Sequence, residues 1–235
     1  MTTQRYPTLT TERQLTAAAV ALADTCKIMR AIYARTGTPP LRDFSADFAG
    51  LAKIVTGQQL SASSAAAIWM RVSAAIEPFN AAALRAMPDT ALAALGLSGA
   101  KIRTLKAVAT AMEDDGFDID ALAQAPDALV IETLTALHGI GPWTADIYLL
   151  FALRRADAFP AGDLALQLAA QRLFKLKVRP TPAKLQLLAE RWRPWRGAAA
   201  RLLWADYAQQ RAAAGSEPVR AKPTLIPQKS AKTSR

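Results

Sequence analysis

Apolar residues recur every three or four positions along most of the chain, and no stretch alternates with period two for long enough to build a strand. Thr11-Glu12-Arg13-Gln14 has the form of a capping box, after which Leu15, Ala18, Leu22, Cys26, Met29 and Tyr33 share one helical face until Gly37. A second amphipathic face, Phe44, Phe48, Leu51, Ala52 and Val55, follows the Pro39-Pro40 break and ends at Gly57. Ser61 opens a third helix through Ile68, Val72 and Ile76, closed by Pro78. Shorter helices fit 80–86, 89–95, 98–113, 119–124 and 127–137. The next begins with Pro142 at its first position and runs to about Leu153, where Arg154-Arg155 oppose its dipole. Asp163, Pro182 and the stretch 197–213 mark the last three. The pattern predicts ten or eleven helices, no sheet and an all-α fold. Residues 216–235 are rich in Ser, Pro, Lys, Thr and Gln and predict a disordered basic tail.

A chain of 235 residues buries a sizeable core, so neither disulfides nor a structural metal is needed to hold it together. The one cysteine, Cys26, excludes an internal disulfide and a four-cysteine iron–sulfur cluster, and its place on an apolar face reads as a small buried hydrophobe. No apolar run exceeds seven residues, the length of Ile147 to Leu153, whereas a membrane span needs about 20. The N-terminal residues lack an apolar leader region, so a cytoplasmic setting is expected, nucleoid-associated if the source is bacterial. Nothing demands a partner chain, and a monomer is expected.

The net charge of +10 is unevenly spread. Residues 1–170 hold 14 Lys/Arg against 16 Asp/Glu, residues 171–215 hold 10 against 2, and residues 216–235 hold 5 against 1. A cationic third on a near-neutral body suggests a face built to meet phosphates; the alternative is a solvated helix followed by a basic tail.

The segment Leu137-His138-Gly139-Ile140-Gly141-Pro142-Trp143-Thr144-Ala145 carries the strongest chemical signal. A helix ending at Leu137, a Gly-x-Gly turn and a helix starting at Pro142 form a helix-hairpin-helix. Its glycines permit unusual backbone angles and let a phosphate oxygen approach the amides at the second helix's N-terminus. The bland alternative is an ordinary turn between two helices. Twenty-two residues after Gly141, Phe159-Pro160-Ala161-Gly162-Asp163-Leu164 ends in a carboxylate at a helix start. Alone, Asp163 reads as an N-cap. Behind a phosphate-binding hairpin, it also stands where it would face a neighbouring sugar.

Four blocks in this order, Gly57-Gln58-Gln59-Leu60-Ser61, the hairpin with Pro142-Trp143-Thr144-Ala145, the Asp163 loop, and Glu190-Arg191-Trp192-Arg193-Pro194-Trp195-Arg196, span residues 57–196. In them the sequence resembles the helix-hairpin-helix superfamily of DNA glycosylases, most closely the alkylation-repair branch, DNA-3-methyladenine glycosylase II. The resemblance implies a two-lobed all-α fold with DNA in the cleft between lobes. After an N-terminal extension over 1–10, a glycosylase domain would cover 11–215, with a central bundle at about 47–155 and a second lobe from 11–46 and 156–215.

Carried over by position, Asp163 matches the catalytic aspartate, and Trp143 and Trp204 match aromatic positions of the base pocket. Gln59 falls where a side chain fills the gap left by an extruded nucleotide. Gly139, Ile140, Gly141 and Thr144 match hairpin contacts to DNA, and the carbonyls of Thr135, Leu137 and Ile140 match those holding a monovalent cation, Na+ or K+. No cofactor is required for catalysis. The implied activity is monofunctional hydrolysis of the N-glycosidic bond of alkylated purines such as 3-methyladenine in duplex DNA, leaving an abasic site for base excision repair. Strand-cleaving members carry a Schiff-base lysine where this chain has Trp143.

Trp192 and Trp195 are expected to be core, and Arg191, Arg193 and Arg196 to meet phosphate or solvent. His138 stands where relatives often have proline and is given no acid–base role. Ile147 replaces a pocket tyrosine of one relative, which leaves substrate range open. The competing readings are a noncatalytic helix-hairpin-helix protein with Asp163 as a cap, and a glycosylase for oxidised or mismatched bases.

Overall fold

The computed structural model describes residues 7–42 and 44–215, so the expected tail at 216–235 lies outside the described residues. Twelve α-helices follow in chain order among them: α1 (Glu12–Thr25), α2 (Lys27–Thr36), α3 (Phe48–Gly57), α4 (Ala62–Ala75), α5 (Ala81–Ala86), α6 (Asp89–Ala94), α7 (Gly99–Glu113), α8 (Asp127–Thr135), α9 (Pro142–Ile147), α10 (Leu164–Leu173), α11 (Pro182–Ala189) and α12 (Arg196–Gly215). Two 3-10 turns (Asp120–Gln124 and Glu190–Trp192) and one π-helical turn (Tyr148–Ala152) complete the helical structure. No sheet forms among the described residues; pairing is limited to an isolated antiparallel bridge, Thr8 to Arg155.

The run expected as one helix from Thr11 to Gly37 is two. Cys26 adopts extended backbone (φ −131°, ψ 114°), and Arg30 reaches back to donate from Nε to Ala23 O and from Nη2 to Asp24 O, both at 2.9 Å. Those bonds satisfy carbonyls that helix continuation would have used, so α1 ends and α2 folds against it. Cys26 is therefore a half-buried junction residue and not a fully buried one. The second amphipathic stretch also starts later than its apolar pattern: Asp47 caps α3 through Gly50 N–H (2.9 Å), and Phe44 remains in the preceding loop with its ring stacked 5.4 Å from Phe151.

Two lobes result. In one, α5 packs on α7, α3 on α4 and α7, and α8 on α9; in the other, α12 is the axis against which α1, α2 and α10 lie. Asp206, fully buried on α12, is ion-paired with Arg35 of α2 and Arg172 of α10, fastening the second lobe around that axis. The apolar run 147–153 joins the lobes as the π turn, in which Leu153 N–H bonds Tyr148 O at 3.0 Å. Arg155, expected to face the dipole of that helix, is instead buried, ion-paired with Asp127 at 3.3 Å and donating to the carbonyls of Ala123 and Ala125. Residues 7–10, expected as part of an extension, lie along this joint: Leu9 N–H bonds Arg154 O and Ala156 N–H bonds Pro7 O, each at 2.8 Å.

The Arg-Trp-Arg-Pro-Trp-Arg run corrects a second expectation. Arg196 is buried, with Nε and Nη2 on Asp157 (2.9 and 2.8 Å) and Nη1 on Glu190 (2.9 Å), and Arg193 shares the same two carboxylates. Arg191 lies over the Phe174 ring at 5.2 Å. Positive charge that suggested a phosphate face is spent here on holding the lobe together. Trp192 is fully buried between Phe159 and Phe174, and Trp195 is half-buried against the core, as expected for core residues.

Asp146 on α9 is pushed up to about 7 by burial, with the Arg196 charge pulling it back. The folded state thus holds a proton that the unfolded chain releases near pH 3.8, the ordinary value. Stability contributed by the protonated group is complete below that pH and is lost as the pH rises through about 7. Denaturant titrations across this window should show stability falling with pH in the wild type. The Asp146→Asn variant should lack that part of the slope and be the more stable protein at pH 8.

Candidate active site

Asp163 sits at the N-cap of α10, where Oδ1 accepts the Leu166 N–H at 3.0 Å. The carboxylate has two further donors. Trp143, in the first turn of α9, gives its indole N–H to Oδ2 at 2.9 Å, and Trp204 of α12 gives its own to Oδ1 at 3.0 Å. One indole comes from each lobe, so the carboxylate is oriented by donors from three helices, α9, α10 and α12.

A cleft of about 760 Å³ opens above this group. Lys53, Ile54, Trp69, Trp143 and Ile147 line it from one lobe, and Asp163, Trp204, Tyr207 and Arg211 from the other. Asp163 is the acidic side chain among the described lining residues. Phe151 stacks on Trp204 (centroids 5.7 Å, planes 22° apart), which covers one face of that indole. Arg42, from the α2–α3 loop, carries its guanidinium 5.2 Å from the Phe151 centroid; burial lowers its pKa while the charge of Asp163 raises it.

A second opening of about 720 Å³ adjoins the first and is lined by Gln59, Leu60, Gly139, Gly141 and Asp163. Gln59 is exposed here with a left-handed backbone (φ 57°). The hairpin itself runs from α8 to α9, and Ile140 N–H bonds Leu137 O at 3.1 Å across its turn.

The two hairpin glycines turn out to be unlike. Gly139 has φ +77°, and a Cβ built there would lie 1.8 Å from Thr104 Oγ1. Gly141 has φ −101°, which any residue adopts, and a Cβ there meets nothing within 4 Å. Of the two roles expected of the glycines, Gly139 supplies the unusual backbone angle and Gly141 the open approach to the backbone.

Thr144 lines the second opening with its side chain turned inward: it is 2% exposed, and its Oγ1 accepts from Gln58 Nε2 at 2.9 Å. The same Gln58 amide donates to Gly139 O at 3.4 Å, tying the α3–α4 corner to the hairpin. The Ile140 side chain is also buried, which leaves its backbone as the part available to a ligand.

Sequence reasoning missed Gln58, Arg42 and Tyr207. Tyr207 had a readable signal, since Trp204, Tyr207, Ala208 and Arg211 follow helical spacing and all line the cleft. Arg42 had none, because only the folding of its loop brings it to Phe151.

The model of the HhH-GPD superfamily base excision DNA repair proteins matches residues 52–194, which include the hairpin, Trp143 and Asp163 but stop short of Trp204. The chain belongs to that superfamily. Among HhH-GPD proteins it is 33% identical over 166 residues to DNA-3-methyladenine glycosylase 1 of Schizosaccharomyces pombe, covering 67% of this chain and 73% of that one. It is 38% identical over 110 residues to a probable bifunctional transcriptional activator/DNA repair enzyme AlkA of Mycobacterium tuberculosis. That match covers 47% of this chain, which spans only 21% of the length of the M. tuberculosis protein.

A solved HhH-GPD structure, the S. pombe 3-methyladenine DNA glycosylase Mag1 in complex with abasic DNA, superposes with a TM-score of 0.72 at 29% identity, covering 80% of this chain and 95% of that one. A DNA-3-methyladenine glycosidase from Bacillus halodurans superposes with a TM-score of 0.67 at 28% identity, covering 89% and 95%. These likenesses fall in the alkylation-repair branch of the superfamily.

The unlike glycines give a direct test of the hairpin's construction. Gly139→Ala should cost about 1–3 kcal/mol of stability through a left-handed backbone and a clash with Thr104. Gly141→Ala should stay within about 0.5 kcal/mol of wild type, both read by urea denaturation.

Proposed function

We propose that this HhH-GPD protein is a monofunctional DNA glycosylase that releases alkylated purines such as 3-methyladenine from duplex DNA. The observation that carries this reading is the Asp163 carboxylate, held at the base of an interlobe cleft by the indole N–H groups of Trp143 and Trp204. A carboxylate serving only as an N-cap needs the Leu166 amide and no tryptophan. The second lobe instead brings a donor from α12, 41 residues away along the chain, to fix its orientation.

The chemistry asks for little else. The target nucleotide leaves the base stack, at a cost of a few kcal/mol, and enters the cleft. Gln59, exposed on its strained turn, fills the space left behind. As the C1′–N bond breaks, its electron pair goes to the base, and the sugar takes on oxocarbenium character. Asp163 stabilises that positive charge and accepts a proton from the water that adds to C1′. An N-alkylated purine starts as a cation and departs neutral, so no general acid has to protonate it. Trp143 has no amine with which to form a Schiff base, and the abasic strand is left uncut.

Grip on the duplex falls to the hairpin. The open space beside Gly141 admits a phosphate oxygen close to the backbone at the start of α9. The carbonyls of Thr135, Leu137 and Ile140 are neutral, hard oxygen donors on one turn, a donor set suited to Na+ or K+ and unsuited to a soft metal. The Leu137 oxygen already accepts the Ile140 N–H and has one lone pair left for an ion. Bound there, a monovalent cation would add positive charge facing the phosphate.

Asp163→Asn keeps an acceptor for the Leu166 amide but removes the negative charge. Release of 3-methyladenine from methylated duplex DNA should fall by about 10²–10³-fold in this variant, while its affinity for the same DNA stays close to wild type. Equal release by the variant and the wild type would reject the assignment. Borohydride should trap no covalent complex with either protein.

A further inference from the structure

The cleft's charge does not match a pocket built only for cationic bases. Among the described residues, Arg42, Lys53 and Arg211 line it together with the carboxylate of Asp163. Two guanidinium groups also converge on one ring: Arg42 lies 5.2 Å and Arg201 4.5 Å from the Phe151 centroid. Arg201 is 4% exposed, donates to Leu150 O at 3.0 Å, and leaves its Nε and Nη1 without a hydrogen-bond partner. Its field therefore reaches the pocket wall little screened by water. Arg42 differs in standing at the cleft surface, where Asp163 pulls on it and Arg201 repels it. Arg42 makes no ion pair among the described residues.

These positions act in opposite directions on two kinds of substrate. A cationic alkylpurine is attracted by the ring faces of Trp143 and Trp204 but repelled by the guanidinium groups. A neutral purine with an acceptor on its outer edge, such as hypoxanthine, meets donors there. When the C1′–N9 bond of a neutral nucleotide breaks, the electron pair stays on N9, and the departing ring is anionic until water protonates it. The water that adds to C1′ loses its own proton to Asp163. Positive charge beside the ring stabilises that anionic leaving group, whereas a base that leaves uncharged gains no such stabilisation.

Resting on the glycosylase reading above, we propose that Arg42 is a specificity-determining residue, whose guanidinium on the Phe151 wall extends the pocket to neutral, acceptor-edged purines. Two substrates compared on the same full-length protein test this. One is duplex DNA containing 3-methyladenine, and the other is a duplex with a single inosine. Single-turnover release from both should be measurable in the wild type. In Arg42→Gln the ratio of hypoxanthine to 3-methyladenine release should fall about tenfold, and Arg42→Lys, which keeps the charge, should restore part of it.

Both rates changing by one common factor would overturn the inference, because a phosphate contact or a damaged fold acts on both substrates alike. So would wild-type protein that releases 3-methyladenine but no hypoxanthine. Failure of the wild type to release either base would instead sink the glycosylase reading, and the role of Arg42 with it.

Discussion

The arrangement of this protein depends on three hydrogen bonds to one carboxylate. Asp163 accepts from an amide of its own helix and from two indoles, one on each lobe. A charged acceptor that has left bulk water needs such donors, and the chain supplies them from α9, α10 and α12. The acidic group is thereby aimed into the cleft, and the same bonds fix the distance between the cleft's two walls. Fold and site share a component here: the tryptophans that would contact a base also set the direction of the carboxylate beside it.

Much of this was legible in the chain. Period-three-to-four spacing, with caps at Thr11, Ser61 and Asp163, marks helices that the structure contains. The Gly-x-Gly turn followed by Pro142 marked the hairpin. What escaped was set by contacts between distant residues. Cys26 breaks a continuous apolar face because Arg30 turns back on the preceding helix, a competition that periodicity does not register. The π turn at Tyr148–Ala152 lies in a run that is apolar on all sides and has no period to read.

The site shows the same division. Residues that act through their own backbone or their place in a motif, such as Asp163 and Gly139, were visible. Residues that act through a partner were not. Gln58 looked like the neighbour of Gln59 in a motif, yet it is the side chain that ties the α3–α4 corner to the hairpin. Charge counting misled for a related reason. Ten basic residues against two acidic ones suggested an exposed cationic face, but Asp157, outside that window, neutralises Arg193 and Arg196. Composition by segment overlooks neighbours in space.

The joint between the lobes has a mechanical consequence. Leu9 N–H bonds Arg154 O, Ala156 N–H bonds Pro7 O, Gly197 N–H bonds Ala156 O at 2.8 Å, and Arg201 holds Leu150 O, all within a few residues of the π turn. A Cβ at position 197 would lie 2.8 Å from that Ala156 oxygen, so the start of α12 is pressed directly onto the connector. Bracing of this kind at the root opposes a change in the angle between the jaws. On the proposed reading, the helix of nucleic acid is then the compliant member of the encounter, and it is sites already weakened in stacking or pairing that yield to a stiff protein most cheaply.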